Sequence, residues 1–140
     1  MIHPTQAVIL AGGRGTRMAP LTDTCPKPMI EIHGKPFLEY LIDMLRDRGI
    51  SRILLLLGYL PEVVQQYFGD GSRWSVKIEY SVTPIENETG PRLKAAMSQL
   101  DPYFLLMYCD NYWPMPLDKM WKRFREAKEV EAKLSAMITV

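Results

Sequence analysis

Three cationic side chains and a cluster of glycines lie close together near the start of the chain. Arg14, Arg17 and Lys27 fall within fourteen residues, and glycine occupies three of the four positions 12–15. Glycine lets backbone N–H groups approach a ligand closely, because no Cβ stands in the way. Phosphate is bound by such backbone donors together with arginine forks and lysine charges. The segment therefore predicts a phosphate-binding loop.

Two familiar phosphate loops do not fit this segment. A dinucleotide fingerprint that starts at Gly13 would require glycine or alanine at position 18, where the chain has Met18. No Gly-Lys-Ser or Gly-Lys-Thr follows, which excludes a Walker loop. Judged on the loop alone, an ordinary strand-to-helix turn with exposed basic residues remains an alternative to phosphate binding.

A single carboxylate is the candidate for holding a cation. Asp110 follows the apolar run 103–108, and a residue that ends a strand of a parallel sheet faces the side on which ligands bind. Mg²⁺ prefers oxygen ligands and often uses one or two carboxylates together with substrate phosphates. The alternative is that Asp110 begins a turn with Asn111, an ordinary role for an aspartate.

The elements that must position these groups follow from hydrophobic periodicity. Strands are predicted at residues 6–10, 52–57, 76–80, 103–108 and 133–140. The first predicted helix begins at Pro36 and is ended by Gly49. Further helices are predicted at 61–68, 91–100 and 117–127. This alternation predicts an α/β fold of three layers, with a mostly parallel sheet flanked by helices.

Ligands of such sheets sit beyond the carboxyl ends of the strands. Three segments of the chain follow predicted strands and are expected to meet there. They are the loop around Gly12, the pair Gly58-Tyr59 and the triplet Cys109-Asp110-Asn111.

Composition narrows the class of protein. The 140 residues, 47% hydrophobic and 24% charged, are typical of one globular domain, and a net charge of +1 gives no reason to expect nucleic acid or an anionic membrane as a partner. The chain has no apolar run of about 18 residues and no basic leader at its start.

Cys25 and Cys109 have neither metal-type spacing nor a disulfide framework, so we predict a reduced, cytoplasmic protein. Because Lys27 is near, Cys25 is either a reactive thiol or, as is commoner, a small loop residue.

Four short blocks of the sequence resemble the signature of the sugar-1-phosphate nucleotidyltransferases. That signature reads Leu-Ala-Gly-Gly-x-Gly-Thr-Arg, Pro-Leu-Thr, Pro-Lys-Pro and Gly-Lys-Pro, and its blocks match residues 10–17, 20–22, 26–28 and 34–36. The resemblance implies a Rossmann-like nucleotidyltransferase fold. It also implies transfer of a nucleotidyl group from a nucleoside triphosphate to a sugar-1-phosphate, giving an NDP-sugar and pyrophosphate for polysaccharide and cell-envelope sugars. Two alternatives are a nucleotide-binding fragment or diverged homologue without turnover, and a structural or regulatory partner of a larger complex.

The resemblance also implies roles for individual residues. Arg17 and Lys27 would be catalytic: Arg17 would hold the β- and γ-phosphates, and Lys27 would bridge the α-phosphate and the sugar phosphate. Asp110 would bind Mg²⁺, and a second family carboxylate would lie downstream of this chain. The nucleotide would contact Leu10, Ala11, Gly12, Gly13, Arg14, Gly15, Thr16 and Gly90.

One segment departs from the family pattern. Where the family has small residues after the third strand, this chain has Glu88-Thr89-Gly90-Pro91-Arg92. Gly90 can still let the base or ribose approach, whereas Pro91 removes a backbone donor and Arg92 introduces a bulky cation.

The resemblance covers nearly all of this chain but only part of a family member. Residues 1–140 correspond to the nucleotide-binding portion, and the C-terminal half that supplies most of the sugar pocket is expected to be missing, so the sheet would be incomplete. An unfinished edge and nearby apolar residues predict self-association, and hence a homo-oligomer. The other expected partners are a nucleoside triphosphate and a sugar-1-phosphate, without nucleic acid or membrane.

Overall fold

The computed structural model describes residues 3–138 and is built around a parallel sheet. Its strands are β1 (Gln6–Leu10), β2 (Glu31–Ile32), β3 (Lys35–Pro36), β4 (Arg52–Leu57), β5 (Lys77–Val82) and β6 (Leu105–Tyr108). Its α-helices are α1 (Phe37–Asp47), α2 (Pro61–Phe68), α3 (Thr89–Ala95) and α4 (Leu117–Val130). Strands and helices thus alternate along most of the chain, as the periodicity predicts.

The main sheet has four strands in the order β5-β4-β1-β6, and every neighbouring pair is parallel. The register places Ala7 of β1 between Ile53 of β4 and Leu105 of β6. The chain moves outward from β1 through β4 to β5 and then returns to the other side of β1 with β6. The order of the strands therefore reverses between β1 and β6, which is where parallel α/β sheets bind ligands. The short strands β2 and β3 form a separate antiparallel pair.

Both faces of the sheet are covered, which explains why β1 and β4 are almost entirely apolar. The larger core lies on the face that carries α1 and α2, and Leu117 and Met120 of α4 join it. The opposite face packs against α3 and the turn after it through a smaller cluster, whose buried members are Val8, Leu10, Leu54, Leu56 and Ala96. The prediction of a mostly parallel sheet between helical layers is confirmed. No helix among residues 3–138 is long and apolar enough to cross a membrane.

Several predicted boundaries are shifted. Strand β5 begins at Lys77 and continues to Val82, and the helix predicted at 91–100 begins at Thr89 and ends at Ala95, before a single 3₁₀ turn. Strand β6 is shorter than the predicted 103–108, because the chain enters it from a loop where the Asp101 N–H donates to Gln6 Oε1 at 2.7 Å.

The strand predicted at 133–140 is wrong for the residues that the structure describes. Residues 133–138 contain no strand, and residues 139–140 lie outside the described part. The chain leaves α4 through a turn that ties it back to the helix, where Lys128 Nζ donates to the Leu134 carbonyl at 2.9 Å. An apolar run becomes a strand only where a neighbouring strand can pair with it, and residues 133–138 pair with no strand of the described sheet.

Candidate nucleotide-binding site

The glycine loop leaves β1 and is held in one conformation by residues further along the chain. Gly15 has a φ of 66°, a left-handed conformation that favours glycine. A Cβ at this position would lie 3.0 Å from Lys27 Cβ and 3.2 Å from Thr22 Cγ2. Thr22, only 2% exposed, donates from Oγ1 to the Gly15 carbonyl at 2.8 Å. Glycine is therefore needed here both for the backbone angle and for the close approach of Lys27.

Tyr59, which follows β4, fastens the same loop from the other side. Its hydroxyl lies 2.7 Å from the Thr22 carbonyl oxygen and 2.9 Å from that of Asp23. Its backbone N–H donates to the Gly12 carbonyl at 3.2 Å. The guanidinium of Arg14 lies over its ring, 5.2 Å from the centroid. The Gly58-Tyr59 pair, expected at the ligand edge of the sheet, thus contacts the glycine loop directly.

Lys27 and Asp110, distant in sequence, form an ion pair beside the glycine loop. Lys27 begins a 3₁₀ turn between two prolines, and Asp110 lies in the turn that follows β6. The Nζ–Oδ2 distance is 3.1 Å, and the side chains are 36% and 51% exposed. A pair this exposed contributes about 1 kcal/mol or less to stability. Its significance is positional, because it puts one cation and one carboxylate at the point where the strand order reverses.

The two cysteines are not activated thiols. Burial, together with the charge of Asp110, raises the pKa of Cys109 to about 11. Burial and the charge of Glu31 likewise raise the pKa of Cys25. Both thiols stay protonated near neutral pH, so Cys25 is a loop residue of ordinary reactivity.

A cavity of about 540 Å³ opens between the glycine loop, the start of α3 and the end of β6. Seven of the predicted site residues line it, namely Leu10, Gly12, Gly13, Gly15, Lys27, Gly90 and Asp110. Ala11 is buried next to them, whereas Arg14, Thr16 and Arg17 are exposed residues outside this lining. The lining also contains Ile85, Asn87 and Tyr108, which the sequence did not single out for the site. Its remaining members lie in segments that the sequence analysis named, namely Pro28, Glu88, Thr89, Arg92 and Cys109.

Arg92, which departs from the family pattern, is built into the wall of this cavity and is only 4% exposed. Its Nη1 donates to the Leu57 carbonyl at 3.0 Å and to Thr83 Oγ1 at 2.7 Å. Its Nη2 donates to the carbonyls of Gly12 at 3.3 Å and Ile85 at 3.1 Å. Burial lowers the pKa of the guanidinium. Nothing in the local sequence predicts this network, because its acceptors come from three distant segments.

Pro91, the other departure from the family pattern, causes no loss of a helical hydrogen bond. It lies in the first turn of α3, where backbone N–H groups have no partner within the helix. The first helical bond of this end runs from the Arg92 N–H to the Glu88 carbonyl at 3.2 Å.

A parallel α/β sheet with a glycine loop at the point where its strand order reverses is the architecture of a nucleotide-binding domain. A family model described as nucleotidyl transferase matches residues 6–139, and the chain belongs to this family.

Two curated relatives and one solved structure are similar to the chain over most of its length. The UTP–glucose-1-phosphate uridylyltransferase AglF of Haloferax volcanii is 37% identical over 121 residues, covering 86% of the chain and 49% of the relative. The D-glycero-alpha-D-manno-heptose 1-phosphate guanylyltransferase of Campylobacter jejuni is 34% identical, covering 82% and 52%. The structure of HddC from Yersinia pseudotuberculosis complexed with GMP-PN is 33% identical, with a TM-score of 0.70, covering 89% and 54%. The chain thus spans about half the length of these relatives.

Proposed function

We propose that this chain binds a nucleoside triphosphate in the 540 Å³ cavity and that the protein transfers its nucleotidyl group to a sugar-1-phosphate. The observation that carries the proposal is the Lys27–Asp110 pair beside the glycine loop. Glycine-loop N–H groups and a lysine are suited to a triphosphate, and a carboxylate is suited to the cation that accompanies it. The membership of the nucleotidyl transferase family supports the same reaction class.

The reaction requires few chemical groups from the protein. An oxygen of the sugar phosphate forms a bond to the α-phosphorus, the bond from that phosphorus to the β-phosphate oxygen breaks, and pyrophosphate leaves. A phosphate monoester dianion is already a nucleophile near neutral pH, so no general base is needed. The chain would therefore act by positioning and by neutralising charge. In this proposal Lys27 contacts the α-phosphate, and the exposed Arg17 contacts the β- and γ-phosphates.

Asp110 is the residue that we propose for Mg²⁺. Residues 3–138 contain no group of three or more histidine, cysteine or acidic side chains that could hold a metal by themselves. A half-exposed carboxylate at the rim of a phosphate cavity fits Mg²⁺, which keeps several waters and takes its other ligands from substrate phosphates. When bound, the ion would neutralise charge on those phosphates.

The relatives named above are a uridylyltransferase and a guanylyltransferase, for glucose-1-phosphate and a heptose 1-phosphate respectively. We therefore propose the reaction class, with NDP-sugars of the cell envelope as its products. The cytoplasmic location and the homo-oligomer remain predictions.

Pyrophosphate release tests the proposal. The chain is incubated with each common triphosphate and a panel of sugar-1-phosphates, with and without Mg²⁺. We expect release that requires Mg²⁺ and both substrates. Binding without turnover is the alternative, which is favoured because residues 3–138 hold no group of three or more side chains that could bind a metal by themselves. Calorimetric binding without pyrophosphate release would support it. A folded chain that neither binds nor releases would contradict both.

A further inference from the structure

Arg92 is a buried cation for which the described residues supply no carboxylate. Its two Nη atoms carry four N–H donors, and all four point to protein acceptors: three backbone carbonyls and one threonine hydroxyl. Buried charges are normally paired with an opposite charge. Here each of the four Nη–H donors faces a neutral dipole, so no Nη–H remains for a phosphate oxygen.

The four acceptors come from three segments that leave neighbouring strands at the same edge of the sheet. Gly12 follows β1, Leu57 ends β4, and Thr83 and Ile85 follow β5. Arg92 itself reaches them from α3. One side chain thus joins the glycine loop to the far wall of the cavity, which is formed by residues 85–90.

Two glycines leave the space that this guanidinium fills. A Cβ at Gly12 would overlap the guanidinium, and its three nearest atoms all belong to Arg92. A Cβ at Gly58 would lie 2.5 Å from Arg92 Nη1 and 2.7 Å from the Gly12 carbonyl oxygen. In this chain, then, the missing side chain at position 12 accommodates Arg92 as well as any ligand.

We propose that Arg92 is a positioning residue that sets the width of the nucleoside-binding part of the cavity. This inference rests on the proposed function. Arg92 makes no hydrogen bond or ion pair with Lys27 or Asp110, which carry the proposed phosphate chemistry, and its Nη donors are all engaged within the wall. Its effect should therefore fall on the base and ribose and not on the triphosphate.

Calorimetric titration of two ligands separates these parts of the cavity. The first is whichever common nucleoside triphosphate binds the unmodified chain most tightly; the second is inorganic triphosphate, which has no base or ribose. Both are used with Mg²⁺. Arg92→Lys keeps a charge but loses the planar fork that spans four acceptors. We expect it to weaken the nucleotide at least about tenfold and to change inorganic triphosphate by less than about twofold. Lys94→Met, on the exposed side of the same helix, should change neither.

Equal weakening of both ligands by Arg92→Lys, or no weakening of the nucleotide, would overturn the inference. If the unmodified, folded chain binds neither ligand, the proposed function fails first, and that result is distinct from the two above. If Arg92→Lys does not fold, Thr83→Val, which removes one acceptor of the guanidinium and lies outside the cavity lining, takes its place in the titration.

Thermal unfolding tests the contact between Arg92 and Gly12 without any ligand. Gly12→Ala should lower Tm clearly in the unmodified chain and much less when Arg92 is replaced by alanine, because the atoms that the new Cβ meets are then gone. An equal loss of Tm in both backgrounds would show that Arg92 does not fill this space, and the inference would fail with it.

Discussion

The two sides of the cavity are built differently. On the β4–β5 side, buried groups anchor the wall: Arg92 is only 4% exposed and Leu57 is fully buried. On the β6 side, Leu106 and Tyr108 are 41% and 59% exposed, and Asp110 is half-exposed. The difference indicates that the described residues complete the wall proposed to bind the nucleoside. The edge proposed to bind the metal and the sugar stays open.

Helix α4 belongs to the open side as well. Only Leu117 of its fourteen residues is buried. Its aromatic residues Trp121 and Phe124 stack at a ring separation of 5.6 Å and border a cavity of about 290 Å³ together with Tyr103. Trp121 Nε1 is buried without a hydrogen-bond partner among the described residues. This side is therefore less completely buried than the core around β4.

The largest effect should come from the cation at the junction of the two sides. Lys27→Ala should lower the rate of pyrophosphate release at least about a hundredfold, as expected when preorganised charge is lost from a transition state. Arg17→Ala should do the same, and Arg17→Lys should recover little because an ammonium does not reproduce a bidentate fork. Lys119→Ala, an exposed lysine of α4, is the control. If Lys27→Ala released pyrophosphate at a rate within threefold of that of the unmodified chain, the Lys27–Asp110 pair would not be part of the chemistry.

A smaller effect is expected for the hydroxyl that fastens the glycine loop. Tyr59→Phe removes the group that contacts the Thr22 and Asp23 carbonyls, and should lower the free energy of unfolding by about 1 kcal/mol. Tyr112→Phe, at a residue 53% exposed on the open side, should change it by less than about 0.5 kcal/mol. Denaturant unfolding of both variants measures these changes. Equal losses of unfolding free energy in the two variants would contradict the contrast between the two sides.

A test of the open edge follows from the charges on the two outer strands. Charged residues protect β5, which carries Lys77 and Glu79, whereas β6 reads Leu-Leu-Met-Tyr. We expect copies of the chain to associate through β6, seen as concentration-dependent sedimentation. Leu106→Lys should abolish the association, and Val82→Lys on β5 should leave it intact. A chain that sediments as a monomer at tens of micromolar would contradict the prediction.

The smallest effect concerns pH and the end of the sheet away from the cavity. Arg52 donates to Glu79 at 3.0 Å and, with a smaller effect from Lys77, lowers the pKa of that carboxyl. A lowered folded-state pKa adds stability above the unfolded pKa of about 4.3, and this contribution is lost as the pH falls through the folded value. The gap in unfolding free energy between the unmodified chain and Glu79→Gln should therefore shrink from pH 7 to pH 3. A gap that is constant with pH would rule out this linkage.

Features that depend on local sequence could be predicted, whereas contacts between distant residues mostly could not. Strands β1 and β4 and helix α2 have the predicted bounds, because continuous apolar runs and flanking proline or glycine define them locally. The contact between Lys27 and Asp110 spans 83 residues, and that between Arg92 and Gly12 spans 80. The rule that strand ends share one edge of a parallel sheet predicts that Asp110 lies beside the glycine loop, but it does not predict that Lys27 contacts Asp110. The second contact depends on side-chain packing, for which no local pattern exists.

The proposal on which the others rest is that the glycine loop, Lys27 and Asp110 together hold a nucleoside triphosphate. Calorimetric titration of the chain with each common triphosphate, with and without Mg²⁺, tests it most directly. We expect saturable but weak binding of at least one triphosphate, strengthened by Mg²⁺ in the unmodified chain and not in Asp110→Asn. No heat with any triphosphate, from a sample that unfolds cooperatively on heating, would contradict it.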